Sequence, residues 1–261
     1  MHPWPYPFWI AHRGAGRLAP ENTLAALRAG AALGWQMAEC DVKLSADGVP
    51  FLLHDDTLDR TTNGRGPAGA RTWEDLAWLD AGAWHSAAYA GERLPTLAEV
   101  AGWCRVENFL LNIEIKPSPG TARRTGEGVA AEAARLWQGA AVPPLLTSFS
   151  TESLAGARAA APELPRGLLR DGSAAGAVDE ALGLGCVALV CHHPLWNAVL
   201  AAQARAAGLR CLAYTVNDEA EAGRLSALGL DGLITDRVDT FDPRASAARP
   251  LSRQRGKAAA Q

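Results

Sequence analysis

His12 and Arg13 close a short apolar run at 8–12. Glu39 and Asp41 lie two apart in a second run at 37–43, and Glu114 and Lys116, again two apart, end a third at 109–115. His54 and Asp55 finish the run at 49–54. Residues two apart on a strand share a face, so Glu39 and Asp41 project one way, and so do Glu114 and Lys116. Taken singly, every one of these residues has an ordinary structural reading, as a solvated strand-end acid or a hydrogen-bonded histidine. Taken together, they put three carboxylates, two imidazoles and two cations at the ends of successive units. Buried carboxylates repel one another strongly at low dielectric, and a trio is costly unless a cation neutralises it. Three carboxylate oxygens, from Glu39, Asp41 and Glu114, suit a hard divalent ion, Mg2+ or Ca2+. Zinc fits less well, because no Cys or His cluster has its ligand spacing. A metal beside Arg13 and Lys116 favours an oxyanion, phosphate above all. His12 and His54 then supply a general base and a general acid. The set reads as metal-assisted hydrolysis of a phosphodiester, with Arg13, Lys116 and the ion stabilising charge on the phosphoryl oxygens.

Elements must bring these residues together. Strands are expected at 8–12, 37–43, 49–54, 109–115, 145–149, 166–169, 186–191, 210–216 and 232–235. Helices are expected at 22–33, 96–106, 126–138, 151–161, 174–184, 197–207 and 218–228, with Thr96, Ser150 and Asn217 as caps and Gly34, Gly208 and Gly229 as stops. Ala46-Asp47-Gly48 reads as a turn that makes a hairpin of 37–43 and 49–54. Counting that hairpin once leaves eight βα units, which fits an α/β fold of (β/α)8 TIM-barrel type with a small insertion after the second strand. A doubly wound open sheet is the alternative. The barrel is expected over 1–243, with the insertion at about 56–95 as a cap over the active face. Residues 244–261, with Arg244, Arg249, Arg253, Arg255, Lys257 and no acid, are expected to be a mobile basic tail.

The 261 residues are 48% hydrophobic and 20% charged, a balance that excludes wholesale disorder. The net charge of −3 gives no footprint for nucleic acid. No apolar run approaches the ~20 residues of a membrane span, and Met1-His2-Pro3-Trp4-Pro5 has no basic stretch before an apolar one. Five cysteines form no CxxC pair and read as buried thiols in a reducing compartment. The expectation is a cytoplasmic protein with a small-molecule substrate and no stable membrane insertion. Gly14 and Gly16 lack the third glycine or Lys-Ser/Thr of a nucleotide loop.

The chain resembles the glycerophosphodiester phosphodiesterase family, most closely its cytosolic bacterial branch. The matching pieces are His12-Arg13-Gly14 with Pro20-Glu21-Asn22-Thr23, Glu39-x-Asp41-Val42, His54-Asp55, Arg60-Thr61-Thr62-Asn63-Gly64, Asn112-Ile113-Glu114-Ile115-Lys116, Tyr214-Thr215-Val216-Asn217 and Gly229-x-Asp231-Gly232 through Asp236. They run from 12 to 236 in the family's order. The resemblance implies a (β/α)8 barrel that hydrolyses glycerophosphodiesters to glycerol 3-phosphate and an alcohol. It assigns metal binding to Glu39, Asp41 and Glu114, acid–base work to His12 and His54, and phosphate contact to Arg13 and Lys116. It also implies that the glycerol's neighbouring hydroxyl attacks first, giving a cyclic phosphate that water opens. Tyr214 is expected to wall the glycerol, where the family often carries Trp. Glu21 is expected to orient Arg13 or to cap the first helix, and Asp55 to hold an imidazole or the hairpin end. Trp84 and His85 are candidates for contact with the leaving alcohol. Asn112 is expected inside the barrel, Ser148 in packing, His192 and His193 in a loop, and Cys40 toward the helices. A lysophospholipase D-type enzyme on the same barrel is the alternative activity, and a non-catalytic barrel ranks last.

Overall fold

A computed structural model describes residues 4–244 of the chain. Of the basic segment expected at 244–261, all but Arg244 lies outside the described residues. Nine strands follow in order: β1 (Trp9–Ala11), β2 (Met37–Leu44), β3 (Pro50–Leu52), β4 (Leu110–Ile115), β5 (Leu145–Ser148), β6 (Arg166–Arg170), β7 (Ala188–His192), β8 (Arg210–Tyr214) and β9 (Gly232–Thr235). All but β3 are parallel, and β1 pairs with both β9 and β2, so the eight parallel strands close into a ring. β3 returns antiparallel on β2 as the expected hairpin arm. The helices are α1 (Leu24–Ala32), α2 (Trp73–Leu76), α3 (Leu97–Glu107), α4 (Ala122–Leu136), α5 (Thr151–Ala160), α6 (Ala177–Gly183), α7 (Ala198–Ala206) and α8 (Glu219–Ala227). The fold is a TIM-type (β/α)8 barrel, not an open sheet.

Local chemistry sets most of these boundaries. Thr96 caps α3 in a reciprocal box with Glu99, and Ser150 caps α5. At α8 the expected cap is off by one residue: Asp218 accepts from Glu221 N, while Asn217 turns toward β9. The glycines expected to stop α1, α7 and α8 take positive φ just past the last turns. α4 starts four residues before the expected 126. Its glycines, which weaken a helix locally, are here the surface that packs. A Cβ on Gly126 would stand 2.0 Å from Ser153 O of α5.

Each strand divides its faces. Outward residues such as Trp9, Cys40, Val42, Ile113, Leu146 and Leu189 form the layer against the helices. Inward residues change character along the strand. Ile10, Met37, Leu145, Val190, Leu212 and Ile234 fill the lower interior. Two residues further on, the inward positions become His12, Glu39, Thr147, His192, Tyr214 and Asp236. The polar layer thus lies at the carboxyl ends of the strands, the end where barrels of this type carry their sites.

Residues 56–95 leave the barrel between β3 and α3 and form a small core against the hairpin arm, with Leu58, Ala68, Leu76 and Leu94 buried together with Phe51 of β3. Asp80 organises it by accepting from the backbone N–H of Gly82, Ala83 and Gly91. The segment leans on the start of α1 and on the β1–α1 connection: Glu92 accepts from Ala25 N, and His85 Nε2 donates to Arg17 O at 3.1 Å.

Candidate active site

The β2–β4 register sets Asp41 directly beside Glu114. With Glu39, two residues earlier on the same face, they bring one oxygen each to within 4.8 Å of one another, all three buried. Burial and the neighbouring Asp41 and Glu114 charges hold the Glu39 carboxyl well above the usual range. Burial and Asp41 lift Glu114 to about 7. Burial pushes Asp41 up too, but the charges of Lys116 and Arg13 and the Asn22 amide outweigh it, and Asp41 stays below the usual range. Glu39 Oε1 is buried with no hydrogen-bond partner. An orphaned buried oxygen in an all-carboxylate cluster is what a hard divalent ion completes. The donor set fits Mg2+ or Ca2+ and lacks the soft ligands of a zinc site.

The imidazoles flank this cluster, each oriented by its own acid. His12 Nδ1 lies 2.6 Å from Asp236 Oδ1, and His12 Nε2 is 3.8 Å from Glu39 Oε2. His54 Nδ1 lies 2.7 Å from Asp55 Oδ1. A carboxylate on Nδ1 fixes that nitrogen as the donor and leaves Nε2 for chemistry. Burial lowers His54 from its ordinary value, and the charges of Arg13 and Lys116 add to this. The cations lie among the acids. Arg13 donates through Nη1 to Glu21 at 2.7 Å, its Nε is 3.5 Å from Asp41, and its backbone N–H donates to Glu39 at 3.0 Å. Lys116 donates to Glu114 at 2.6 Å and stands 3.4 Å from Asp41.

The remaining expected residues sit as follows. Glu21 orients Arg13; it does not cap α1, whose cap is Thr23. The Tyr214 hydroxyl donates to Arg170 O at 2.9 Å, so only its ring faces neighbours, Phe149 and His192. Asn112 is buried in the barrel and accepts from Thr147. Ser148 donates to Ile115 O, a packing role. His193 Nδ1 lies 2.6 Å from Glu221, which ties it to α8. Cys40 is buried in the helix-facing layer.

Four residues with a part in the site were not read as site residues from sequence, Asn217 having been expected only as a helix cap. Asn22 grips Asp41 twice, donating to its Oδ2 and accepting from its backbone N–H. Arg60 bridges Glu21 and Asp55. Asn217 donates to Asp236 Oδ2, behind His12. Lys43 is fully buried, and its Nζ meets Asp56 at 3.1 Å and the His54 carbonyl at 3.4 Å, pinning the end of the hairpin. A signal for Lys43 was present: it extends the 39–41 alternation by one step. For the others the signal was only membership in a motif.

A sequence model of the Glycerophosphoryl diester phosphodiesterase family matches residues 12–240. A glycerophosphodiester phosphodiesterase of Caldanaerobacter subterraneus is 34% identical over 239 residues, covering 89% of this chain and 95% of the relative. Among solved structures, an Oleispira antarctica phosphodiesterase in complex with the product sn-glycerol-3-phosphate aligns with a TM-score of 0.82 at 35% identity, over 88% of this chain and 93% of that one. A glycerophosphodiester phosphodiesterase from Agrobacterium tumefaciens aligns at 0.75 with 30% identity, over 90% and 98%.

Proposed function

The chain belongs to the glycerophosphoryl diester phosphodiesterase family and is a phosphodiesterase of that class; from that premise we propose how its residues divide the hydrolysis of a glycerophosphodiester into sn-glycerol 3-phosphate and an alcohol. One observation carries the reading: three buried carboxylates from neighbouring strands converge within 4.8 Å, with an acid-oriented imidazole on either side. Glu39, Asp41 and Glu114 would hold the divalent ion, Mg2+ or Ca2+. When bound, it supplies Lewis-acid stabilisation of charge on the phosphoryl oxygens. Arg13 and Lys116 add positive charge at the same rim. The Tyr214 and Phe149 rings form a wall suited to the glycerol carbons.

His54, held toward its neutral form by burial, takes the proton from the attacking hydroxyl. That hydroxyl is the glycerol's own neighbour to the phosphate, as in the reading from family resemblance. His12 gives a proton to the departing alcohol oxygen. In the second half the roles exchange. Water attacks the cyclic phosphate, His12 accepts its proton, and His54 returns a proton to the glycerol oxygen. Both imidazoles end as they began, and one water is consumed.

Purified protein with Mg2+ or Ca2+ is expected to release sn-glycerol 3-phosphate from glycerophosphocholine, and a chelator to abolish release. His12→Ala and His54→Ala are each expected to lower kcat by about 10²–10⁴-fold. Failure to cleave any glycerophosphodiester sinks the substrate reading. Full turnover by His12→Ala sinks the division of labour. No helix among the described residues is long and apolar enough to cross a membrane. All five cysteines are free and buried, which supports a cytoplasmic setting.

A further inference from the structure

A second space opens next to the carboxylate centre. His12, Arg17, Glu21, Trp84, His85 and Asp236 are among the residues enclosing a pocket of about 440 Å3, within the range that holds a small ligand. Depressions of about 530 and 650 Å3 elsewhere are lined by neither site carboxylates nor site histidines. This pocket adjoins the reacting centre at His12, whose ring lines it and whose Nε2 lies 3.8 Å from Glu39.

The charges in its walls are unequally committed. Glu21 is taken up by Arg13 and Arg60. Asp236 is taken up by His12 and the Asn217 amide. Arg13 is held by Glu21 and lies close to Asp41. Arg17 is exposed, and no ion pair engages it among the described residues. Its charge is still close enough to help lower Asp236, after burial, which raises it, and the His12 bond. The backbone under Arg17 is fixed from the other side of the pocket, since a carbonyl can only accept and His85 Nε2 donates to Arg17 O. Trp84 is 41% exposed and spends its indole N–H on Ala81 O, so what it offers a ligand is the ring. The pocket therefore has one apolar wall, two neutralised acids and one uncommitted guanidinium.

Resting on the phosphodiesterase reading above, we infer that this pocket receives the leaving alcohol, and that Arg17 selects small alcohols bearing a carboxylate over counterparts that lack it. A guanidinium meets a carboxylate through paired N–H donors and repels an ammonium head that has no carboxylate of its own.

The test compares two diesters that differ by one carboxylate, sn-glycero-3-phosphoserine and sn-glycero-3-phosphoethanolamine. The wild-type protein is expected to favour the serine diester about fivefold in kcat/KM, as one partly exposed ion pair allows. Arg17→Gln is expected to bring that ratio to about one, and Arg17→Lys to keep part of it. The wild-type ratio is also expected to fall as salt is raised. Equal wild-type efficiencies on the two diesters, or an unchanged ratio in Arg17→Gln, overturn the assignment while leaving the hydrolase reading standing. Failure to cleave either diester, together with glycerophosphocholine, brings down the hydrolase reading and this inference with it.

Discussion

Arg60 divides one guanidinium between two acids that serve opposite flanks of the site. Nε and Nη2 donate to Asp55 at 2.7 and 2.9 Å, and Nη1 and Nη2 donate to Glu21 at 2.7 and 2.8 Å. Asp55 orients His54, and Glu21 holds Arg13. A lysine has no planar fork to span both. Arg60→Lys is expected to keep its fold by thermal melt but to lose up to about 10²-fold in kcat, because a small misplacement of catalytic groups costs that much. A merely structural role would lower the melting temperature and spare kcat. Asp236 does comparable work behind His12. Burial pushes its carboxyl up, but the His12 hydrogen bond, the His12 charge and the Asn217 amide hold it at about 2, below its ordinary value of 3.8. A folded value below the unfolded one gives stability that is present above about pH 4 and lost as pH falls through about 2. Asp236→Asn is expected to cost about 2 kcal/mol at pH 7, with the gap from wild type closing between pH 4 and 2 in urea titrations. A gap independent of pH would contradict this.

At the level of elements, α4 and α5 approach through glycine. A Cβ at Gly126 would meet Ser153 O at 2.0 Å, and one at Gly156 would meet Arg123 O at 2.4 Å. Alanine gains up to about 1 kcal/mol over glycine inside a helix, but overpacking costs about 1–3 kcal/mol. Gly126→Ala is therefore expected to lower the melting temperature. Gly223 in α8 has nothing within 4 Å of the same position, so Gly223→Ala is expected to raise it. Glycines that argue against a helix locally are there to let two helices touch, and only the partner helix reveals it. The hairpin, by contrast, was readable. Its turn residues, its length and the alternation of β2 all agreed, and Asp41, Glu39 and Lys43 fell on one face as the period of two requires.

Across the whole molecule, the carboxylate centre is a reservoir of repulsion that an ion relieves. Glu114 stands at about 7, against an ordinary value of 4.5, because of burial and Asp41, and Glu39 is raised for the same reasons. A carboxyl whose value rises on folding costs nothing while protonated in both states. Its cost grows as pH climbs from the unfolded value, about 4.3, and is complete above about 7. The metal-free protein is thus expected to lose stability over that window. The gain in melting temperature on adding Mg2+ or Ca2+ is expected to be larger at pH 8 than at pH 5. Equal gains at the two pH values would show that these acids are not the ligands.

The sequence by itself determined the residue types, the strand faces and the order of the βα units, because periodicity and turn chemistry are local. Glu39, Asp41 and Glu114 were legible for that reason, on strand faces that the alternation fixes, and His12, Arg13, His54 and Lys116 were legible as polar residues just past strand ends. Tertiary structure decided which acid serves which base. His12 meets Asp236 across 224 residues only because β1 pairs with β9 to close the ring. Asn22 reaches Asp41 because the β1–α1 connection comes back beside β2, and Arg60 reaches Glu21 only because the excursion folds back over that connection. A local pattern says which way a side chain points. Which partner waits there depends on chain closure over long separations, and no short window of sequence carries that information.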